Sequence, residues 1–212
     1  MLTHVTIGEY TIRNAGPEDV HELEELQQLC FPTLASHELL TAAHFLNHIN
    51  VFREGQWVIT LDERVIASSG TLRVNYPAAD HKFLEITDQL WITNTHDPGG
   101  EWLYQFDMGV RPAHRGKKLS THLYNVQQNL VAQLAMKGQV TVGMTIGYDQ
   151  YREKLTIAEY CEKLKEGEIL DPTVTPQRRA GFQWVGPIFD YVEDPTAGNC
   201  GIMLVWPLWA EQ

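Results

Sequence analysis

Residues 110 to 120 read Val110-Arg111-Pro112-Ala113-His114-Arg115-Gly116-Lys117-Lys118-Leu119-Ser120. A strand candidate, Trp102 to Val110 (WLYQFDMGV), runs into this stretch, and Pro112 stops it. A helix is read as opening at Arg115-Gly116. Leu119, Leu123, Val126, Leu130 and Leu134 then recur at steps of four, three, four and four, a single stripe turned toward a sheet. The unit is therefore strand, basic turn, helix. A helix start holds backbone N–H groups that lack partners within the helix. With the positive end of the helix dipole, worth about 0.3–1 kcal/mol, they form an anion site. Arg111, Arg115, Lys117 and Lys118 place four positive charges within eight residues.

The rest of the chain alternates strand and helix patterns. Tyr10 to Asn14 is a short strand candidate, followed by a helix that starts at Gly16-Pro17-Glu18-Asp19 with Pro early and acids in the first turn. Val20, Leu23, Leu26 and Cys30 give it an apolar face. A second helix is expected between Ser36 and Asn50, with Leu39, Leu40, Ala43 and Leu46 turned inward. Gln56 to Leu61 and Val65 to Val74 read as strands joined tightly at Asp62-Glu63. Pro77 to Gly100 is long for a connection. Val140 to Ile146 is the next strand. Thr156-Ile157-Ala158-Glu159 is a capping box for a helix that Gly167 ends. Phe182 to Val185 and Cys200 to Val205 are the last strands. This alternation makes the class α/β or α+β, and 212 residues favour one domain, 1–212.

Composition narrows the partners. The net charge of −11 argues against nucleic acid and against an anionic membrane surface. A charge pair at 4 Å is worth about 4 kcal/mol at an effective dielectric of 20. Distant acids act through salt with a screening length of about 8 Å. The basic turn should thus dominate its own surroundings, as a polyphosphate ligand requires. Cys30, Cys161 and Cys200 form no CxxC pattern and read as reduced thiols in a cytoplasmic protein. Met1 to Tyr10 shows no signal-peptide pattern, and no apolar run reaches membrane-spanning length. His37, His44 and His48 lie at helical spacing, but no Cys or acid pattern completes a metal site. No metal is expected, and these three read as surface histidines. Trp91, Trp184 and Trp206 read as core.

The stretch from Val110 to Ser120 resembles the pyrophosphate-binding motif of the GNAT acyltransferase superfamily, roughly V-x-P-x-x-R-G-x-G-x-G/A. It also resembles a narrower group, the GNAT domains associated with nitrilase-like carbon–nitrogen hydrolases. Blocks carrying that closer match are Thr95 to Pro98 leading into Glu101 to Tyr104, Leu123-Tyr124, Ile146 to Tyr148, Thr156 to Gly167, Asp171-Pro172 and Gln177 to Phe182. The resemblance spans most of residues 10 to 207. It implies a mixed, mostly antiparallel sheet splayed at its central strands, with helices on both faces. It implies acetyl-CoA as cosubstrate and an amine as acceptor. Many members are dimers, so a homodimer is one assembly the resemblance allows. Lys118 and Ser120 stand where the motif has its second and third glycines. Either Lys118 projects outward to a CoA phosphate and Ser120 donates a hydrogen bond, or both side chains narrow the site.

By the same resemblance, backbone groups of Met108 and Val110, with Gly109 between them, contact the pantetheine arm. One of those amides polarises the thioester carbonyl. Arg115, Gly116, Lys117, Lys118, Leu119 and Ser120 hold the pyrophosphate. The amine attacks the carbonyl directly, so alignment supplies most of the catalysis. Asp107 is the first candidate for the base, directly or through water. Many relatives place a tyrosine acid four residues before a Gly-Phe pair. Here Gly181-Phe182 is present, but that position is Gln177. Tyr148, with Tyr151 behind it, is the substitute acid, since a phenol of pKa near 10 suits a thiol leaving group. Gln177, Lys118 and Ser120 also fit a second function, a non-catalytic acyl-CoA-binding or regulatory module. His96 and Asp97 read as a turn before Pro98.

Overall fold

The computed structural model describes residues 4–77 and 80–208. Among the described residues, eight strands form one sheet in the order β1-β2-β3-β4-β5-β6-β8-β7. They are β1 (His4–Ile7), β2 (Tyr10–Asn14), β3 (Gln56–Leu61), β4 (Arg64–Val74), β5 (Trp102–Val110), β6 (Gly138–Met144), β7 (Gln183–Ile188) and β8 (Gly201–Pro207). All neighbouring pairs are antiparallel except β5 with β6, which is parallel. The helices are α1 (Val20–Cys30), α2 (Ala42–Phe52), α3 (Phe83–Ile86), α4 (Leu119–Gln133), α5 (Ile157–Glu166) and α6 (Val174–Arg179). β1, α3 and α6 were not anticipated from the sequence, being short or weakly patterned.

Local chemistry explains the boundaries. The Arg13 guanidinium grips Asp19 through two bonds of 2.7 Å, and Asp19 also accepts from the Gly16 N–H at 2.8 Å. That knot joins the end of β2 to the entry of α1. Asp62 and Glu63 both take positive φ, 49° and 65°, which is the geometry of a tight β3–β4 hairpin. Thr156 accepts from the Glu159 N–H at 3.3 Å, and the Glu159 carboxylate accepts from the Thr156 N–H at 2.8 Å. Gly167 ends α5 at φ 81°. Thr156→Ala should therefore lower stability by about 1 kcal/mol, read by thermal or urea denaturation.

α1 and α2 cover one face of the sheet. Leu23, Leu26, Phe45 and Ile49 pack there against Val58, Leu72 and Tyr104. α4 covers the other face, with Leu119, Leu123, Leu130 and Val131 against Trp57, Ile59, Ile66 and Leu103. α5 and α6 extend that second layer over β8, their cluster sharing Met108 and Trp206 with that of α4.

Several expectations fail in detail. The inner face of α2 is Phe45, His48, Ile49 and Phe52, whereas Ala43 and Leu46 are exposed. The helix starts later than the sequence suggested, at Ala42, and this turns the apolar face. His48 is accordingly a core residue, 1% exposed, with Nε2 against the Leu90 carbonyl at 2.6 Å. Leu134 is exposed because α4 has already ended at Gln133. β6 stops at Met144, two residues short of Ile146. Of the tryptophans, Trp57 is fully buried and Trp91 is exposed.

Candidate active site: a splayed strand pair and a buried carboxyl

β5 and β6 pair only from Trp102 opposite Gly138 to Gln105 opposite Thr141. Beyond that point β5 continues to Val110 and β6 to Met144 without pairing. The parallel pair therefore opens into a V, the splay the family resemblance implied. A second irregularity falls at the same level. Gly70 opposes Asp107 while Thr71 opposes Gln105, so Phe106 is an extra residue on β5. A Cβ on Gly70 would lie 2.7 Å from the Phe106 ring, so a larger residue there would have to displace that ring.

The unpaired edge of β5 faces the gap. Arg111 N–H donates to Ile66 O on β4 at 2.8 Å. Alternation along the antiparallel ladder turns the amides of Val110 and Met108 the other way, toward the edge β6 has left. The Val110 carbonyl there accepts from Cys30 Sγ at 3.4 Å and from Arg115 Nε at 3.3 Å.

The turn after β5 differs from its sequence reading. Residues Pro112–His114 form one 3₁₀ turn, and α4 begins at Leu119 rather than at Arg115-Gly116. Gly116 takes φ 79° and Lys118 φ 61°, two left-handed positions in quick succession. Such a backbone is natural for glycine and strained for lysine, which accounts for the motif's preference. Arg115, Gly116, Lys117 and Lys118 are exposed, Ser120 is half-buried and Leu119 is buried. Thr121 N–H bonds the Lys118 carbonyl at 3.0 Å; Leu119 and Ser120 occupy the first turn, where helical geometry offers no partner. Arg111 is not part of this cationic group. It is buried, bonded to both Glu25 carboxylate oxygens at 2.8 and 3.2 Å and to the Val65 carbonyl at 2.7 Å. It ties the end of β5 to α1 and β4.

Asp107 sits one residue past the extra residue, buried at 5% exposure, beneath α1 and α2. A water-sized cavity of about 10 Å³ lies beside it, lined also by Leu23, Phe45, Ile49 and Ser69. Among the described residues no side chain pairs with its carboxylate. Burial alone raises its pKa from 3.8 to about 7. Burial likewise pushes the Cys30 thiol up, with the Asp107 charge adding to it.

Tyr148 and Tyr151 lie just after β6, in and at the end of a 3₁₀ turn over Ile146–Gln150. The Tyr148 hydroxyl donates to the Leu155 carbonyl at 3.0 Å. Both rings pack on Tyr160, at 5.5 Å between centroids. This block is held by Asp171, which accepts from Tyr160 Oη and from Gly147 N–H, both at 2.9 Å. It follows the end of β6, and three strand residues separate Thr141 from that end, about 10 Å. Asp107, Met108, Gly109 and Val110 lie on the stretch of β5 that β6 has left, and Met108 packs against the same cluster as the two tyrosines. His96 and Asp97 form a turn as read: His96 Nδ1 accepts from Arg73 N–H at 3.1 Å, and Asp97 accepts from Gly99 N–H at 2.8 Å.

No family model matches the chain. It is 30% identical over 199 residues to the uncharacterized N-acetyltransferase YkwB of Bacillus subtilis (strain 168), covering 92% of this chain and 88% of that protein. The chain belongs to the GNAT superfamily of acyltransferases. It is also 31% identical over 188 residues to the probable hydrolase YhcX of the same organism, covering 88% of this chain. The chain spans only 36% of the length of that relative. Among solved structures, the GNAT-like decarboxylase GphF in complex with isobutyryl-CoA superposes with a TM-score of 0.78 at 24% identity, covering 93% of this chain and 99% of that one. In the GNAT frame, the V between β5 and β6 is the splay of the central strands. Among the described residues, no group of His, Cys, Asp and Glu is placed to hold a metal ion, and no helix is long and apolar enough to cross a membrane.

The sequence reading did not single out Gln105 and Thr141. Both are buried at the closed end of the V and joined to each other, Gln105 Nε2 donating to Thr141 Oγ1 at 3.2 Å. Gln177, noted as a departure from the tyrosine pattern, reaches the same place. No local signal marks such residues, since a lone polar residue in a strand reads as surface.

Proposed function

We propose that this chain transfers an acetyl group from acetyl-CoA to a primary amine by direct attack on the thioester. One observation carries the reading: a buried, unpaired carboxyl with a pKa near 7 stands where the central strands part. Arg115, Gly116, Lys117, Lys118, Leu119 and Ser120 hold the pyrophosphate through helix-end amides and flanking charge. The pantetheine arm runs down the gap along Met108, Gly109 and Val110. The unpaired edge from Val110 to Phe106 is about 13 Å long, so an extended arm brings the thioester near the extra residue. An amide of that edge polarises the carbonyl. Asp107 takes a proton from the substrate ammonium, through the adjoining water-sized cavity or directly, freeing the amine lone pair that attacks. The C–N bond forms, the C–S bond breaks, and the thiolate is protonated. Tyr148, with Tyr151 behind it, is the assigned acid. Tyr148 must release the Leu155 carbonyl to serve. Support for an acyl-CoA donor comes from the isobutyryl-CoA bound by GphF, and for N-acetyl transfer from the description of YkwB.

Isothermal titration tests the donor. Acetyl-CoA should bind while ATP and NAD do not; failure of acetyl-CoA and CoA to bind overturns the reading. Release of CoA thiol with a panel of primary amines then separates an enzyme from a non-catalytic acyl-CoA-binding or regulatory module, which would bind without turnover.

A further inference from the structure

The closed end of the V is built from amides. Gln105, Gln127, Gln139 and Gln177 are all at least nine-tenths buried, as are Thr141 and Tyr124. Gln139, Thr141 and Gly143 alternate along one face of β6. Gln127 and Tyr124 come from α4, Gln177 from α6, and Gln105 from the last paired position of β5. Gln139 Nε2 donates to Gln127 Oε1.

The amide orientations at the closed end follow from hydrogen-bond bookkeeping. Thr141 Oγ1 donates to the Gln105 main-chain carbonyl at 3.4 Å. Its single proton is thereby used, and its lone pairs accept from Gln105 Nε2 at 3.2 Å and Gln177 Nε2 at 3.5 Å. Both Oε1 atoms then point away from Thr141, and both are buried without a partner. Gln177 Oε1 overhangs Gly143, on the stretch of β6 that β5 has left. A Cβ on Gly143 would lie only 2.1 Å from it. Two bare acceptors therefore sit where the gap closes, and buried acceptors call for donors.

We propose that Gln105 and Gln177, aligned by Thr141, select acyl-CoA donors whose acyl group carries a neutral hydroxyl near the thioester. A hydroxyl supplies the donor that both amide oxygens lack. An alkyl chain would cover those lone pairs without replacing their hydrogen bonds. A carboxylate would meet two amide oxygens and, among the described residues, no cation in the cluster. The proposal rests on the acyl-CoA part of the reading above and departs from its acetyl donor, placing a hydroxyacyl-CoA ahead of acetyl-CoA.

Titration calorimetry tests it without knowledge of the acceptor. Glycolyl-CoA and propionyl-CoA differ by a terminal hydroxyl in place of a methyl, as do 3-hydroxypropionyl-CoA and butyryl-CoA. The hydroxylated member of at least one pair should bind tenfold tighter or more, and malonyl-CoA should bind more weakly than either hydroxylated probe. Gln105→Met and Gln177→Met should bring the members of that pair together. Equal or reversed affinities in both pairs, or tightest binding of malonyl-CoA, overturn the proposal while leaving the acyl-CoA reading intact. A preference that survives both substitutions also overturns it. Absence of binding by every CoA ester to the wild-type chain takes down the acyl-CoA reading itself. The wild-type comparison decides even where a substituted chain does not fold.

Discussion

Asp107→Asn is expected to make the protein more stable at pH 8 and to remove most of its activity. The Asp107 carboxyl has a folded pKa of about 7, raised by burial from 3.8. Below about pH 4 it is neutral in both states and its burial carries no charge penalty. Between pH 4 and 7 the unfolded chain releases the proton first, so stability falls as pH rises. Above pH 7 the loss is complete. The shift of about three units corresponds to at most about 4 kcal/mol. The amide has no such penalty at any pH. The Asn variant should therefore match the wild type near pH 4 and exceed it at pH 8, with a thermal midpoint higher by up to roughly 10 °C. Removal of a positioned base should cost about 10²–10⁴ in turnover. The wild-type rate should also rise through pH 7, and this limb should vanish in the variant. Thermal scans at the two pH values and a pH-rate profile of thiol release check the pair. An Asn variant as active as the wild type would remove Asp107 from the mechanism.

Charge reversal at the turn, Arg115→Glu with Lys118→Glu, is expected to weaken CoA binding at least tenfold, or about 1.4 kcal/mol. Both side chains are exposed, so misfolding is not the expected cause. The effect should shrink with added salt, because exposed charges are screened over about 8 Å at physiological ionic strength. Arg111 is the contrast. Its guanidinium is buried against Glu25 and the Val65 carbonyl, so Arg111→Glu should act on folding rather than on CoA. Titration calorimetry at two salt concentrations measures the binding effect. Unchanged affinity in the double variant would move the pyrophosphate away from this turn.

The periodic parts of the chain were legible without coordinates. β2, β3 and β5 match their patterns, α5 carries the Thr156 box and Gly167 stop, and the mixed class follows from alternation, while helices on both faces were implied by the family resemblance. Periodicity is strong there because one side of each element meets water. It weakened where flanking turns shift a helix by a few residues, and that is why Leu46 is exposed and His48 buried on α2. The turn motif marked residues 115–120 as the candidate anion site, but the left-handed Lys118 moved the helix start to Leu119.

The chemistry of the site divides along the same line. Residue types and order along the chain were enough to reach the superfamily, the strand before the turn and the candidacy of Asp107, since these depend on neighbours in sequence. Only the packed molecule could reveal that Arg111 is spent on Glu25, that Tyr148 is bonded to Leu155, and that Gln105, Thr141 and Gln177 meet. Gln105 and Gln177 are 72 positions apart along the chain. Burial and hydrogen bonding are properties of such distant pairs, and no local pattern encodes them.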